Sequence, residues 1–191
     1  MAYPQVLCIV NVKRHARELI EAMGDADTFH LSTNLCPAHR EQVLGMVKER
    51  LRGGQPVRLV ATQCVEAGVD LDFPVVWRAH APLDAIIQAA GRCNREGRMN
   101  RAGDVYVFMP EDEAYPVGYY EQAAQITKIL LQGLKEKTHD IQDPDFVQSY
   151  YRMLYDMARP DVSERAQEIL NAVKAGDFPG VARGLDRKSV V

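Results

Sequence analysis

Between residues 5 and 109, short apolar runs alternate with longer segments in which apolar positions recur every three to four residues, one βα unit after another. The runs predict strands over 6–12, 28–33, 57–62, 74–78 and 104–109. The intervening periodicity predicts helices over 13–23, 37–52, 63–67 and 83–94. Pro37 suits a first helical position, where its missing N–H costs nothing, and Gly53 with Gly54 ends the same helix. The strand cores VLCIVNV, VRLVAT and VYVFM are almost continuously apolar, the pattern of parallel strands covered on both faces. The fold class is therefore α/β, a doubly wound, mainly parallel sheet.

After Pro110 the pattern changes to an acidic turn (Glu111, Asp112, Glu113) and then helical periodicity over 117–137, 145–158 and 162–175. The expected division is a sheet domain over 1–114 and a helical extension over 115–191. The closing DRKSVV reads as a charged turn entering a strand, so the chain is expected to stop inside an element.

A chain of 191 residues, 47% hydrophobic and 26% charged, can bury one ordinary core plus an extension. Its net charge of -3 excludes a uniformly basic surface but not a local basic stripe. No segment approaches the roughly 20 apolar residues that span a bilayer. MAYPQVLCIV lacks the basic start and small-residue cleavage site of a secretory signal, so a cytoplasmic location is expected. Cys8, Cys36, Cys64 and Cys93 form no C-x-x-C pair and have no spaced His partners. They are expected to be reduced thiols, neither zinc ligands nor disulfides. A Cys64–His80 nucleophilic pair lacks a third, orienting residue.

Two segments carry chemistry. In Gln88-Ala-Ala-Gly91-Arg92-Cys-Asn-Arg95, a continued helix would set Gln88, Arg92 and Arg95 on one face. Gly91 inside it would cost about 1 kcal/mol relative to Ala, a reason to expect close approach by a ligand or backbone. Guanidinium forks match phosphate oxygens; a solvated basic face is the competing reading. In Thr62-Gln-Cys-Val-Glu-Ala-Gly68-Val-Asp70, a strand ends at Thr62 on the carboxyl edge of the sheet, where ligands bind. Gly68 then allows a reversal, and Asp70 can accept from a ribose hydroxyl or orient an arginine. Plain helix caps at Thr62 and Gly68 are the alternative.

T-x5-G-x-D followed about twenty residues later by Q-x-x-G-R-x-x-R resembles motifs V and VI of superfamily 2 helicases, in order and on the right elements. In that family the motifs belong to the second RecA-like domain. The resemblance implies that Arg92 and Arg95 face the nucleotide phosphates, with Gln88 between the two motor domains. It sets Gly68 and Asp70 near the ribose or those arginines, and Thr62 on the nucleic-acid backbone. Asn11 after the first strand, and Ser32 and Thr33 after the second, occupy places where the family touches the tracked strand. The wordings HLSTNLCPAHR, LVATQCVEAGVDLDFPVVWR, APLDAIIQAAGRCNREG, VFMPED and YYRMLYD are similar to the second helicase domain of the CRISPR-associated helicase-nuclease of type I interference systems. That likeness implies a motor recruited by an RNA-guided surveillance complex. It would pull single-stranded DNA 3′ to 5′ with ATP and Mg2+, beside a separate metal-dependent nuclease domain.

No G-x-x-x-x-G-K-[ST] occurs, so the phosphate cradle and most of the ATP and Mg2+ contacts would come from a first RecA-like domain, and this chain alone is expected to be inactive. Asp112-Glu113-Ala114-Tyr115 superficially matches a DEAx box but lacks a preceding P-loop and reads as an acidic turn. His139-Asp140 lacks the further ligands of an HD metal site, and no metal is expected here. Segment 92–101 is basic enough for phosphate; segment 40–52 reads as an ordinary amphipathic surface. Two other readings stay open: a RecA-like module that binds DNA or protein without hydrolysis, and a repair or RNA helicase of the same superfamily.

Overall fold

Each apolar run becomes a strand of four or five residues: β1 Gln5–Ile9, β2 Thr28–Leu31, β3 Val57–Ala61, β4 Val75–Ala79 and β5 Asp104–Phe108. The structure, a computed structural model, describes residues 3–65, 69–116, 118–133, 141–158 and 164–185. The strands pair in the order β2-β3-β1-β4-β5, every neighbour parallel. In register, Leu7 lies opposite both Leu59 and Val76, so central β1 is apolar on both sides. The Val10 N–H still reaches the Ala61 carbonyl at 2.9 Å, after which Asn11 and Val12 turn off the sheet and shorten the expected 6–12 strand.

Helices α1 Lys13–Met23 and α2 Pro37–Arg52 have the expected bounds. Gly24 ends α1 in the left-handed region at φ 56, a conformation glycine adopts without a Cβ clash. Because parallel crossovers are right-handed, connections running toward β2 and back from it must lie on opposite faces. The packing follows this rule. Val10, Ala16, Val60 and Ala79 form the core under α1. Leu7, Ile9, Leu59 and Val76 meet Val43 and Val47 of α2 on the other face, together with Val65, Leu71 and Phe73 of the β3–β4 connection. Each such aliphatic burial is worth roughly 1.5–3 kcal/mol.

The β3–β4 connection begins with a single 3-10 turn, Gln63–Val65, where a short helix over 63–67 was expected. Glu66, Ala67 and Gly68 lie outside the described residues. Helix α3 spans Leu83–Ala90, four residues shorter than the expected 83–94. The cause is tertiary. The Arg92 and Cys93 N–H groups tighten onto Ala89 and Ala90 at 3.0 and 2.9 Å, and the chain then peels away to pair with Phe73. Phe73 donates to the Arg92 carbonyl and accepts from the Asn94 N–H, both at 2.9 Å. Gly91 is therefore the C-cap of α3, with an ordinary φ of -65, and not a mid-helix glycine. A Cβ there would meet the carbonyls of Gln88 at 3.3 Å and Ile87 at 3.7 Å, so no backbone from another element comes close to Gly91.

Beyond the sheet come α4 Tyr119–Gln132, α5 Pro144–Ala158, α6 Glu164–Lys174 and α7 Phe178–Leu185. Helix α7 was not foreseen: at eight residues it gives too little periodicity to read. His139, Asp140 and the closing 186–191 lie outside the described residues. Two compact units are present, 1–147 and 148–191. In the second, α6 packs on α7 through Arg165 Nε, which donates to the Gly184 carbonyl at 2.8 Å. No helix among the described residues is long and apolar enough to cross a membrane.

Candidate functional site

The expected site residues fall into two groups at opposite edges of the sheet. Asn11, Ser32, Thr33 and Thr62 follow the carboxyl ends of β1, β2 and β3, as expected. The Arg92–Arg95 loop instead lies beside Phe73, just before β4 begins, and so at the amino edge. The β3–β4 connection links the two by running from Thr62 back across the α2 face to Asp70 and Phe73.

At the amino edge the arginine loop is held from several sides. Arg92 Nη1 donates to the Val69 carbonyl at 2.6 Å. Arg95 Nη1 donates to Asp70 Oδ1 at 3.0 Å, so Asp70 meets an arginine, one of the two roles open to it from the sequence. This pair is solvated, with side chains 46% and 71% exposed, and an exposed pair contributes about 0–1 kcal/mol to stability. It therefore does little for the fold, while a guanidinium with five N–H groups keeps donors for another anion. Asp72 accepts from the backbone N–H of Arg95 at 2.7 Å and of Glu96 at 3.3 Å. Between them, Cys93 Sγ contacts the Pro74 and Asp104 carbonyls at 3.6 and 3.4 Å. Burial and then the Asp104 carboxylate push this thiol up to about 11, which keeps it a neutral S–H. Gln88 is exposed on α3.

Gly103 is what lets this loop pack so closely. A Cβ at that position would lie 2.4 Å from Cys93 Sγ and 3.3 Å from the Cys93 backbone carbon. Gly103→Ala should therefore push the arginine loop off β5, costing about 1–3 kcal/mol as an overpacking change. Thermal unfolding checks this, and an unchanged melting temperature would mean that the loop yields freely.

At the carboxyl edge, Thr33 is exposed, whereas Ser32 is buried and accepts the Asn34 N–H at 3.3 Å. Thr62 is 6% exposed, with its hydroxyl 3.7 Å from Cys64 Sγ and its N–H on the Leu31 carbonyl at 3.1 Å. Asn11, only 3% exposed, is the centre of a buried polar network. Its amide donates to the His80 carbonyl at 2.7 Å and accepts from Arg78 Nη1 at 2.8 Å and the Tyr120 hydroxyl at 3.1 Å. A strand contact by the Asn11 side chain would need this network to open. Arg78, fully buried on β4, also donates to the Ala79 carbonyl and the Tyr120 hydroxyl at 2.8 and 2.7 Å. The adjacent His80 is held below the usual imidazole range by burial and then by Lys128, and its Nδ1 lies 3.1 Å from the Tyr115 hydroxyl. The acidic turn is used structurally: Asp112 pairs with Arg14, and Glu113 with Lys128 at 2.8 Å.

The residues present thus fit the phosphate-facing half of a nucleotide site: a guanidinium held at a solvent-exposed loop by one carboxylate and a fixed backbone. Among the described residues no group of three or more His, Cys, Asp or Glu converges on a metal position. Asp72, Gly103, Arg78 and Tyr120 were not singled out from the sequence. For Asp72 a signal existed: Asp70 and Asp72 alternate with buried Leu71 and Phe73, which puts both carboxylates on one side of an extended segment.

Residues 3–98, half of the chain, match the family described as CRISPR-associated nuclease/helicase Cas3, C-terminal. A CRISPR-associated nuclease/helicase Cas3 from Haloferax volcanii is 45% identical over 74 residues, 37% of this chain and 8% of the relative. A second, from Methanothermobacter thermautotrophicus, is 29% identical over 131 residues, 66% of this chain and 16% of the relative. The chain thus spans less than a fifth of these relatives' length. Among solved structures, T. fusca Cas3 with ATP superposes with a TM-score of 0.63 at 23% identity, covering 97% of this chain and 23% of that one. A chain of a CRISPR RNA-guided surveillance complex in a pre-nicking state gives 0.61 at 24% identity, covering 99% of this chain and 25% of that one. These likenesses show the fold, a RecA-like α/β sheet.

Proposed function

Because the chain belongs to the Cas3 C-terminal family, we propose that it is the second motor half of an ATP-dependent single-stranded-DNA translocase acting in CRISPR interference in the cytoplasm. Residues 1–114 form the motor half and 115–191 its helical extension. A first RecA-like domain with a P-loop would make most of the contacts to ATP and Mg2+; when bound, the nucleotide would supply the phosphoryl group whose transfer drives the cycle. Arg92 and Arg95 meet the charge that builds on the transferred phosphoryl oxygens. Gln88, Gly68 and Asp70 face the cleft, and Thr62 with Thr33 forms the grip on the strand, with Ser32 and Asn11 buried at the same edge of the sheet. Closing and opening of the cleft changes the spacing between this grip and that of the first domain and moves the strand. A nuclease domain and an RNA-guided surveillance complex are the partners, and this chain alone does not turn over.

The observation that carries the reading is Arg95: a guanidinium on a backbone fixed at several points, paired with one exposed carboxylate. Preorganised cationic donors of this kind act on developing charge without reorganisation at the moment of reaction. The test is DNA-stimulated ATP hydrolysis by the parent protein. Thr62→Ala should leave the DNA-independent rate near wild type while raising several-fold the single-strand concentration needed for half-stimulation. An unchanged DNA dependence would remove Thr62 from the grip. RNA stimulating hydrolysis in place of DNA, or DNA binding indifferent to ATP, would replace this reading with an RNA helicase or a non-hydrolytic module.

A further inference from the structure

We infer that Asp72 is the positioning residue of the arginine finger, an inference that rests on the function proposed above. Its carboxylate holds no side chain of the site. It accepts two consecutive backbone N–H groups, Arg95 at 2.7 Å and Glu96 at 3.3 Å. These sit where α3 has ended and the loop has left its last helical turn, so helix geometry no longer fixes the direction of residue 95. Asn94, the preceding residue, is the one non-glycine among the described residues at positive φ, 47, which marks a tight reversal immediately before the finger. A carboxylate bridging successive N–H groups locks such a reversal more firmly than neutral acceptors do, because charge-assisted bonds are about twice as strong.

The second half of the arrangement comes from the connection itself. Asp70 and Asp72 lie on one side of an extended segment whose alternate residues, Leu71 and Phe73, are anchored in the core at 2% and 1% exposure. Asp72 therefore sets the Arg95 main chain while Asp70 sets its guanidinium, from one rigid strip. Phe73 completes the strip by pairing on both sides of Cys93. The finger is aimed by three successive acceptors of the β3–β4 connection, Asp70, Asp72 and the Phe73 carbonyl, which links its direction to the segment that starts at Thr62.

The test is steady-state ATP hydrolysis at saturating single-stranded DNA by the full-length parent protein carrying Asp72→Ala, Asp72→Asn, Arg95→Ala and the double variant Asp72→Ala/Arg95→Ala. Asp72→Ala should lower kcat by about 10- to 100-fold, the scale of an ångström-level misplacement, with KM for ATP changed less than about threefold. Asp72→Asn, which keeps one carbonyl oxygen for the Arg95 N–H, should recover part of that loss. The double variant should be no slower than Arg95→Ala, because a residue that acts only through the finger has nothing left to position. That last readout separates positioning from a general structural role, which would multiply the two losses. Should Asp72→Ala fail to fold, Asp72→Asn and its double variant with Arg95→Ala decide by the same criterion. A collapsed Arg95→Ala beside a normal Asp72 variant, or multiplied losses in the double variant, overturns the inference and leaves the finger reading standing. A normal Arg95→Ala removes both.

Discussion

Arg95→Ala in the parent protein should reduce DNA-stimulated ATP turnover by about 10³- to 10⁵-fold while ATP still binds within a few-fold of wild type. The size follows from when the interaction is made. A guanidinium that meets phosphoryl oxygens only as charge builds on them lowers the barrier and leaves ground-state affinity almost alone. Stability should barely respond, because Arg95 and Asp70 form a solvated pair. Arg95→Lys should recover little, since an ammonium keeps the charge but loses the fork that can span two oxygens. Rate, nucleotide affinity and melting temperature measured on one preparation separate these effects. A parallel loss of rate and affinity would make Arg95 a ground-state contact instead.

Arg78→Met should be the most destabilising change at the polar positions described, lowering the unfolding free energy by about 3 kcal/mol. Methionine fills much of the volume but takes one donor each from the Asn11 oxygen, the Tyr120 hydroxyl and the Ala79 carbonyl, which Arg78 now serves without exposure to water, and leaves the Asn11 oxygen with the Tyr120 hydroxyl. Each hydrogen bond lost to a buried acceptor costs about 1–3 kcal/mol, partly relieved here because Asn11 and Tyr120 still bond to each other. For a chain of this size that corresponds to a fall in melting temperature of roughly 6–12 °C. Tyr120→Phe, which removes one hydroxyl from the same network, should cost about 1 kcal/mol and couple non-additively to Arg78→Met. Additive losses would show that the two residues stabilise separate parts of the fold.

The sheet was legible because its strands are buried on both faces, and continuous apolar runs such as VRLVA have few other stable placements. Helices α1 and α2 kept their expected bounds because Gly24 and the Pro37 and Gly53 pair mark their ends locally. The end of α3 was not legible. Its stop is set by Phe73, some twenty residues earlier in the chain, which draws Cys93 and Asn94 into pairing. Helical periodicity therefore ran on through Arg95 where the backbone does not. Arg78 is a similar case: a lone charge in an apolar strand is buried only because Asn11 and Tyr120, distant in sequence, supply its partners. Of the two spacings, T-x5-G-x-D and Q-x-x-G-R-x-x-R, the structure brings one pair of residues together: Asp70 meets Arg95. The spacing could not show that Thr62 and that loop sit at opposite edges of the sheet, nor that Asn11 is held in the interior.

The most direct measurement is the affinity of the parent protein for ADP–aluminium fluoride, which mimics the transferring phosphoryl group, compared with ADP, in wild type and Arg95→Ala. If this chain completes the hydrolytic site, the variant should lose at least about 100-fold in affinity for the mimic and change less than about twofold for ADP, because transition-state contacts are lost selectively. Equal affinities of variant and wild type for the mimic would contradict the account, since Arg95 would then touch no transferring phosphate.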